Sequence, residues 1–363
     1  DGSESSMIAI GADALGNMNN NSSSQNMAIG VGAMDGVGTI VATNNIMIGL
    51  NAGGGTWTGS TSDANVGMGN AVMDAAMDGA AFNTAVGHVA LSELTTGGSN
   101  TAIGQGAGDG LTTAHRTVII GNSAGSGTMI TNSGGSVPSY ADGTIAVGHS
   151  ALAALTIASG NIAIGYEALA ANQAGGNNLM IGFQAGKSAD DANFSHNIGI
   201  GNYVFDGVAS GIDAQYNTAI GYASMSGVLT DAAHSNTAVG KDTLFALTSA
   251  ANNTVIGAGS AAAITTGNEN TVMGSRALGT ATTATYNVSI GGDSMYSVPA
   301  GQAVTGVVAI GLEAVKGSGS TTTDIDGTVA VGRAALKSLT EGQYNTAVGF
   351  QALTLNTTGD NNT

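Results

Sequence analysis

Asn161-Ile-Ala-Ile-Gly165, Asn217-Thr-Ala-Ile-Gly221, Asn236-Thr-Ala-Val-Gly240 and Asn345-Thr-Ala-Val-Gly349 are four copies of one pentapeptide, and their recurrence decides the fold. Self-similarity at a fixed period is the sequence signature of a stacked repeat. Glycine in this register recurs at Gly11, Gly30, Gly49, Gly69, Gly87, Gly104, Gly121, Gly148, Gly165, Gly182, Gly201, Gly221, Gly240, Gly257, Gly274, Gly291, Gly311, Gly332 and Gly349, which makes 19 coils. The spacing returns repeatedly to 17 and rises to 18–21 elsewhere, with one interval of 27 between Gly121 and Gly148. A floor with scattered additions means a fixed coil carrying inserted loops.

Each position of the coil has a role when counted from its glycine. The residue just before is Ile, Val or Met in every coil, and the residue three before is usually Thr, Ile, Val or Leu. Period-2 alternation puts these two on one face of a strand, expected to turn into the roll. The residue two before lies on the other face. It is Ala, Gly or Ser in 14 coils, and Met47, Ile119, Met180, Val255 or Val272 in the remaining five. The glycine supplies the backbone angles of a corner, because only Gly enters positive φ freely; Gly87, Gly104, Gly165, Gly182, Gly221, Gly240 and Gly349 are representative. A small residue follows three later and Leu, Met or Phe four later, as in Ala151-Leu152 and Ala168-Leu169. Asn stands four before the glycine in 14 of 19 coils, including Asn83, Asn100, Asn161, Asn217, Asn236 and Asn345. At one fixed register, stacking predicts an amide ladder along the solenoid.

A half-exposed strand alternates apolar with polar, whereas these strands alternate Ile or Val with Ala or Gly. An outward row of small residues would let a neighbouring backbone approach, and a repeating row is naturally met by copies of itself. Homo-oligomerisation through that row is therefore expected, with a charge at Ala163 or Ala219 breaking assembly.

Composition agrees with an ordered repeat. The 363 residues include 59 Gly, and only 4% are aromatic and 9% charged, so the core must be thin. Disorder normally comes with low hydrophobicity, yet 42% of the chain is apolar. Collagen would place Gly at every third position, and no such period runs here. A formal charge of −17 removes the basic face that nucleic-acid binding requires. Cysteine is absent, which excludes disulfides and thiolate metal sites. No apolar run approaches the length of a membrane span. The opening Asp-Gly-Ser and the closing Asn361-Asn362-Thr363, which repeats Asn252-Asn253-Thr254, suggest an excerpt of a longer fibre that continues the repeat.

The Asn-x-Ala-Ile-Gly-x-x-Ala pattern, best carried by Asn161–Leu169 and Asn345–Leu353, resembles the head repeat of trimeric autotransporter (YadA-like) adhesins. It is similar as well to the Asn-Thr-Ala-Ile-Gly-Tyr-x-Ala-Leu repeats of bacteriophage tail-fibre proteins. The adhesin coil is shorter. The 17-residue coil ending in Thr-Thr-Gly, at Thr95–Gly97, Thr265–Gly267 and Thr357–Gly359, stands nearer the phage-fibre type. The resemblance implies an all-β parallel β-solenoid of the left-handed β-roll type, one repeat domain over 1–363, wound as a homotrimer. It implies an extracellular structural shaft and host-surface attachment segment, with partners limited to itself and a host glycan or protein. A bacterial adhesin head and a glycan-cleaving tailspike are the alternatives.

No constellation predicts catalysis, a metal or a cofactor. His88 and His149 directly follow a corner glycine, in a slot that also holds Tyr166, Lys241, Arg333 and Phe350, while His115, His196 and His234 fall in variable loops. Metal ligation needs several converging donors, and no histidine pair has ligand spacing. The paired acids Asp190-Asp191 and Asp324/Asp326 lie in inserted turns and read as solvated loops rather than a glycosidase pair. Gly186-Lys187-Ser188 lacks the upstream glycine of a phosphate loop, since position 181 is Ile. The strand threonines, expected inside, argue against ice binding. Recognition is more naturally hung on the inserted loops, 126–143 with Pro138 and Tyr140, and 53–63 with the only tryptophan, Trp57, which could stack on a sugar or equally cap the roll.

Overall fold

The computed structural model describes residues 6–20, 22–127, 142–190, 193–209, 211–230, 233–317 and 322–363. It is all-β, a parallel β-solenoid with no helix among the described residues. The chain divides into two compact units, 1–178 and 179–363. The first unit holds nine three-residue strands, β1 (Ile8–Ile10) to β9 (Ile162–Ile164), each paired in parallel with the next. Ten further three-residue strands, from β10 (Leu179–Ile181) to β21 (Thr346–Val348), repeat the arrangement in the second unit. The two-residue strands β11 (Phe194–Ser195) and β13 (Ala214–Gln215) form a small parallel pair of their own.

Register follows the repeat. Thr84 sits opposite Thr101, Ala85 opposite Ala102, and Val86 opposite Ile103. In the second unit Thr218, Ala219 and Ile220 lie opposite Thr237, Ala238 and Val239. Like therefore mostly stacks on like, and the strands stay three residues long between a preceding residue that is usually a buried Asn and the glycine corner that ends them.

Which face turns inward is the reverse of the sequence expectation. From Met27–Ile29 onward, the middle residue of every three-residue strand is buried, and its two neighbours are half-buried or exposed. Ala163 and Ala219 are 0% exposed, whereas Ile164 and Ile220 are each 37% exposed. The small row is thus the core row, and Glu at Ala163 or Ala219 would strike the interior. The threonines expected inside, such as Thr254 and Thr271, are exposed.

The reason is the width of the coil. The interior is filled from the opposite side by the residue four after the glycine, including Met34, Met73, Leu91, Leu152 and Phe205, all fully buried. The strand row is small in most coils where that residue is large, Val272 with Leu278 being an exception. A Cβ on Gly67 would lie 2.6 Å from Met47 Sδ and 3.1 Å from Met73 Cε. One on Gly199 would lie 3.1 Å from Phe205 Cδ2. The converse also holds. Where the strand row carries Met47, Ile119 or Met180, the position four after the glycine is Gly53, Gly125 or Gly186. Added Cβ atoms at Gly53 and Gly125 would meet Met47 Cγ and Ile119 Cδ1 at 3.1 Å. These three coils exchange bulk between the two positions, as close packing requires, whereas the coil of Ala102 and Gly108 is small at both and that of Val272 and Leu278 is large at both.

Positive φ is not confined to glycine. Leu91, Leu152, Leu169 and Leu244 all have φ near 50° (49°, 51°, 50° and 49°). The left-handed region costs a non-glycine residue about 1–2 kcal/mol. Full burial of a Leu side chain contributes about 1.5–3 kcal/mol, which offsets that cost at each turn.

Candidate functional surfaces

The asparagine column is built from the backbone outward. Asn83 donates from its backbone N and from Nδ2 to Asn65 Oδ1, both at 3.0 Å, and its Nδ2 also donates to Gly97 O at 3.0 Å. Its own Oδ1 accepts from the N and Nδ2 of Asn100, again at 3.0 Å. Both amide protons and both acceptor positions are satisfied, which a fully buried amide demands. Asn236 repeats the geometry on Asn217 at 3.1 Å, with Ala250 O at 2.8 Å. Asn161 donates to Gly175 O at 2.8 Å and accepts from Asn178; Asn345 accepts from Asn362 at 2.8 Å. At Thr117 the hydroxyl replaces the amide and donates to Asn100 Oδ1 at 2.9 Å. At Val307 only the backbone N continues the contact, to Asn287 Oδ1 at 2.9 Å.

Every corner glycine before Gly349 is required twice over, and Gly349 by its angle alone. Gly87, Gly104, Gly165, Gly182, Gly221, Gly240 and Gly349 have φ between +130° and +144°. A Cβ at Gly87 would also stand 2.2 Å from the carbonyl oxygen of Gly104. Angle and space exclude a side chain together.

The outward face of the strands is the most unusual surface. The flanking positions are Ile, Val, Met, Leu or Thr in every three-residue strand, with no charge. Ile103, Ile198, Ile256 and Met273 are 41%, 38%, 37% and 40% exposed. Nine strands about 4.8 Å apart and about 10 Å wide give the first unit an apolar face of roughly 430 Å². That equals the largest apolar patch of an ordinary monomer, and the second unit carries another.

Of the loop residues singled out from sequence, Trp57 is buried at 3% exposure and its Nε1 donates to Gly53 O at 3.0 Å. A ring this buried offers no open face to a sugar, and the Nε1 hydrogen bond gives its one polar atom the partner that burial demands. Tyr140, Pro138 and most of the 126–143 loop lie outside the described residues, as does Asp191. Asp326 Oδ1 accepts from Thr305 N at 2.8 Å, a turn-fixing contact between coils. His115 does similar work, its Nδ1 accepting from Gly98 N at 3.0 Å. His88 and His149 are exposed, and His149 stacks on Tyr166 at 5.2 Å. Among the described residues no group of three His, Cys, Asp or Glu is placed to hold a metal ion.

Sequence reading passed over two features that need spatial neighbours. One is a charge cluster in which Glu313 lies 2.7 Å from both Lys316 and Lys337, while Arg276 reaches Asp293 at 2.8 Å. Hydrogen bonds from Lys316 and Lys337 lower the Glu313 pKa to about 2. Burial, by contrast, pushes Asp74, Asp109 and Asp206 upward. The second feature is a line of rings at three successive corners. Phe183 meets Tyr203 edge-on at 5.4 Å, Tyr203 meets Tyr222 edge-on at 5.6 Å, and Lys241 Nζ lies 6.0 Å over Tyr222.

No protein-family model matches this chain, and no curated protein does either.

Proposed function

We propose that the chain is a structural and attachment segment of an extracellular fibre, assembled from three parallel copies, as in a bacteriophage tail fibre. The observation that carries this reading is the uncharged Ile, Val and Thr face, repeated without interruption through each unit of a protein whose formal charge is −17. Acidic copies repel one another wherever charge is exposed, and this face is where they can meet. An apolar centre with a mixed polar and aromatic margin is the anatomy of an interface. The margin here includes His88, Tyr166, Lys241 and Arg333 just past the corners.

The test places charge on the face rather than in the core. Ile220→Glu with Ile256→Glu should leave the far-ultraviolet circular dichroism spectrum unchanged and convert the assembly to monomers. Retention of the oligomer by that double variant would refute the face as the contact.

A further inference from the structure

We infer that Phe183, Tyr203 and Tyr222 form a stacking ridge for a linear polysaccharide, with Lys241 closing one end. The inference rests on the attachment reading and names where attachment occurs.

The corner positions that carry these rings have no structural need of them. The residue after the corner glycine is Ala258, Ser275 and Gly292 in later coils of the same unit. Phe183 and Tyr222 are nevertheless 38% and 50% exposed. In a chain with only 4% aromatic residues, three consecutive corners carry a ring, two of them exposed and Tyr203 between them half-buried. They are held rather than loose, since each ring packs on the next at 5.4–5.6 Å. An array already ordered in the free protein loses little freedom on binding.

The groups beside the rings define the ligand chemistry. Asn202 is exposed, and its Oδ1 accepts from Phe183 N at 3.0 Å. Its side-chain amide carries two N–H donors at this exposed corner between Phe183 and Tyr222. Asp242 adds a carboxylate 3.3 Å from Lys241 Nζ. Rings interleaved with a planar amide, a carboxylate and phenol hydroxyls suit a molecule with apolar C–H faces and edge hydroxyls, which is a pyranose. The rings repeat once per coil, a rise close to the length of one sugar in an extended chain. A polymer running along the corner therefore meets a ring at each residue, whereas a single sugar meets only one. The acidic balance of the protein and the terminal Lys241 favour a neutral or sparsely anionic polymer.

Affinity electrophoresis tests the ridge, using native gels cast with purified linear polysaccharides: a β-1,4-glucan, a bacterial capsular polymer and an O-antigen chain. The intact protein should be retarded by at least one of them. Phe183→Ala/Tyr203→Ala/Tyr222→Ala should weaken that retardation about tenfold or more, while Tyr286→Ala, removing a ring that is 59% exposed elsewhere, should leave it unchanged. Equal retardation of the triple variant would overturn the proposal, as would a lack of retardation of the intact protein by all three polymers. Conversion of the triple variant to monomers would assign the rings to contact between copies and overturn it as well. A monomeric intact protein that is still retarded would defeat the fibre assembly and leave the ridge standing.

Discussion

Exchanging Met47 and Gly53 interrogates the packing rule that orients every strand. In the coil around Gly49, Met47 fills the interior from the strand, and Gly53 leaves room opposite, where an added Cβ would lie 3.1 Å from Met47 Cγ. The preceding coil solves the same volume the other way, with Ala28 on the strand and Met34 opposite, both fully buried. Met47→Ala alone removes a buried side chain and should cost about 2–5 kcal/mol. Gly53→Met alone overpacks by about 1–3 kcal/mol and adds a left-handed penalty of about 1–2 kcal/mol at φ 61°. Combined, the two changes reproduce the composition of the preceding coil. The void and the overpacking cancel, leaving only the backbone penalty of about 1–2 kcal/mol. Guanidinium denaturation followed by circular dichroism, with all four proteins at one concentration, gives the double-mutant cycle. The double variant should be more stable than Met47→Ala. A double variant as unstable as the sum of the singles would refute the claim that the middle strand residue and the residue four after the glycine share one space.

Other substitutions follow from the same coil. Gly87→Ala should prevent soluble folding, or lower stability by more than about 4 kcal/mol, because the methyl group collides with Gly104 O at an angle alanine avoids; expression and thermal melting report it. Asn83→Ala strips the acceptor from Asn100 N and Nδ2 and the donor from Gly97 O, for a loss of about 3–5 kcal/mol read from denaturant midpoints. The Glu313 carboxyl is lowered from 4.5 to about 2 in the folded protein. Its contribution is fully present above pH 4.5 and is lost as pH falls toward 2. Glu313→Gln should therefore lower the melting temperature at pH 7, with the difference from wild type shrinking toward pH 2.

The period was fully legible in the sequence because all 19 coils place a glycine, and 14 of them an asparagine, at the same register. Gly at one register and Asn four earlier left little freedom in where strands begin and end. The inward face was misjudged for a physical reason. Alternation identifies two faces but not which one is inside, and the usual rule that bulk goes inward fails when the lumen is narrow. The decisive signal was nonetheless present: Met47 with Gly53, Ile119 with Gly125 and Met180 with Gly186 are compensating pairs, which only residues sharing a core require. The ring line of Phe183, Tyr203 and Tyr222 was hidden because Tyr203 stands two after its glycine and the other two stand one after. Only the corner geometry brings those positions together. For Trp57 the sequence left stacking on a sugar and capping of the roll equally open, because a loop insertion carries no periodicity from which to read its burial.

The mass of the intact protein in solution bears most directly on the account, because the exposed Ile and Val face has a purpose only if copies cover it. Light scattering after size-exclusion chromatography should give three times the chain mass of 35.1 kDa, unchanged on dilution through the micromolar range. A well-folded species of 35.1 kDa would contradict it.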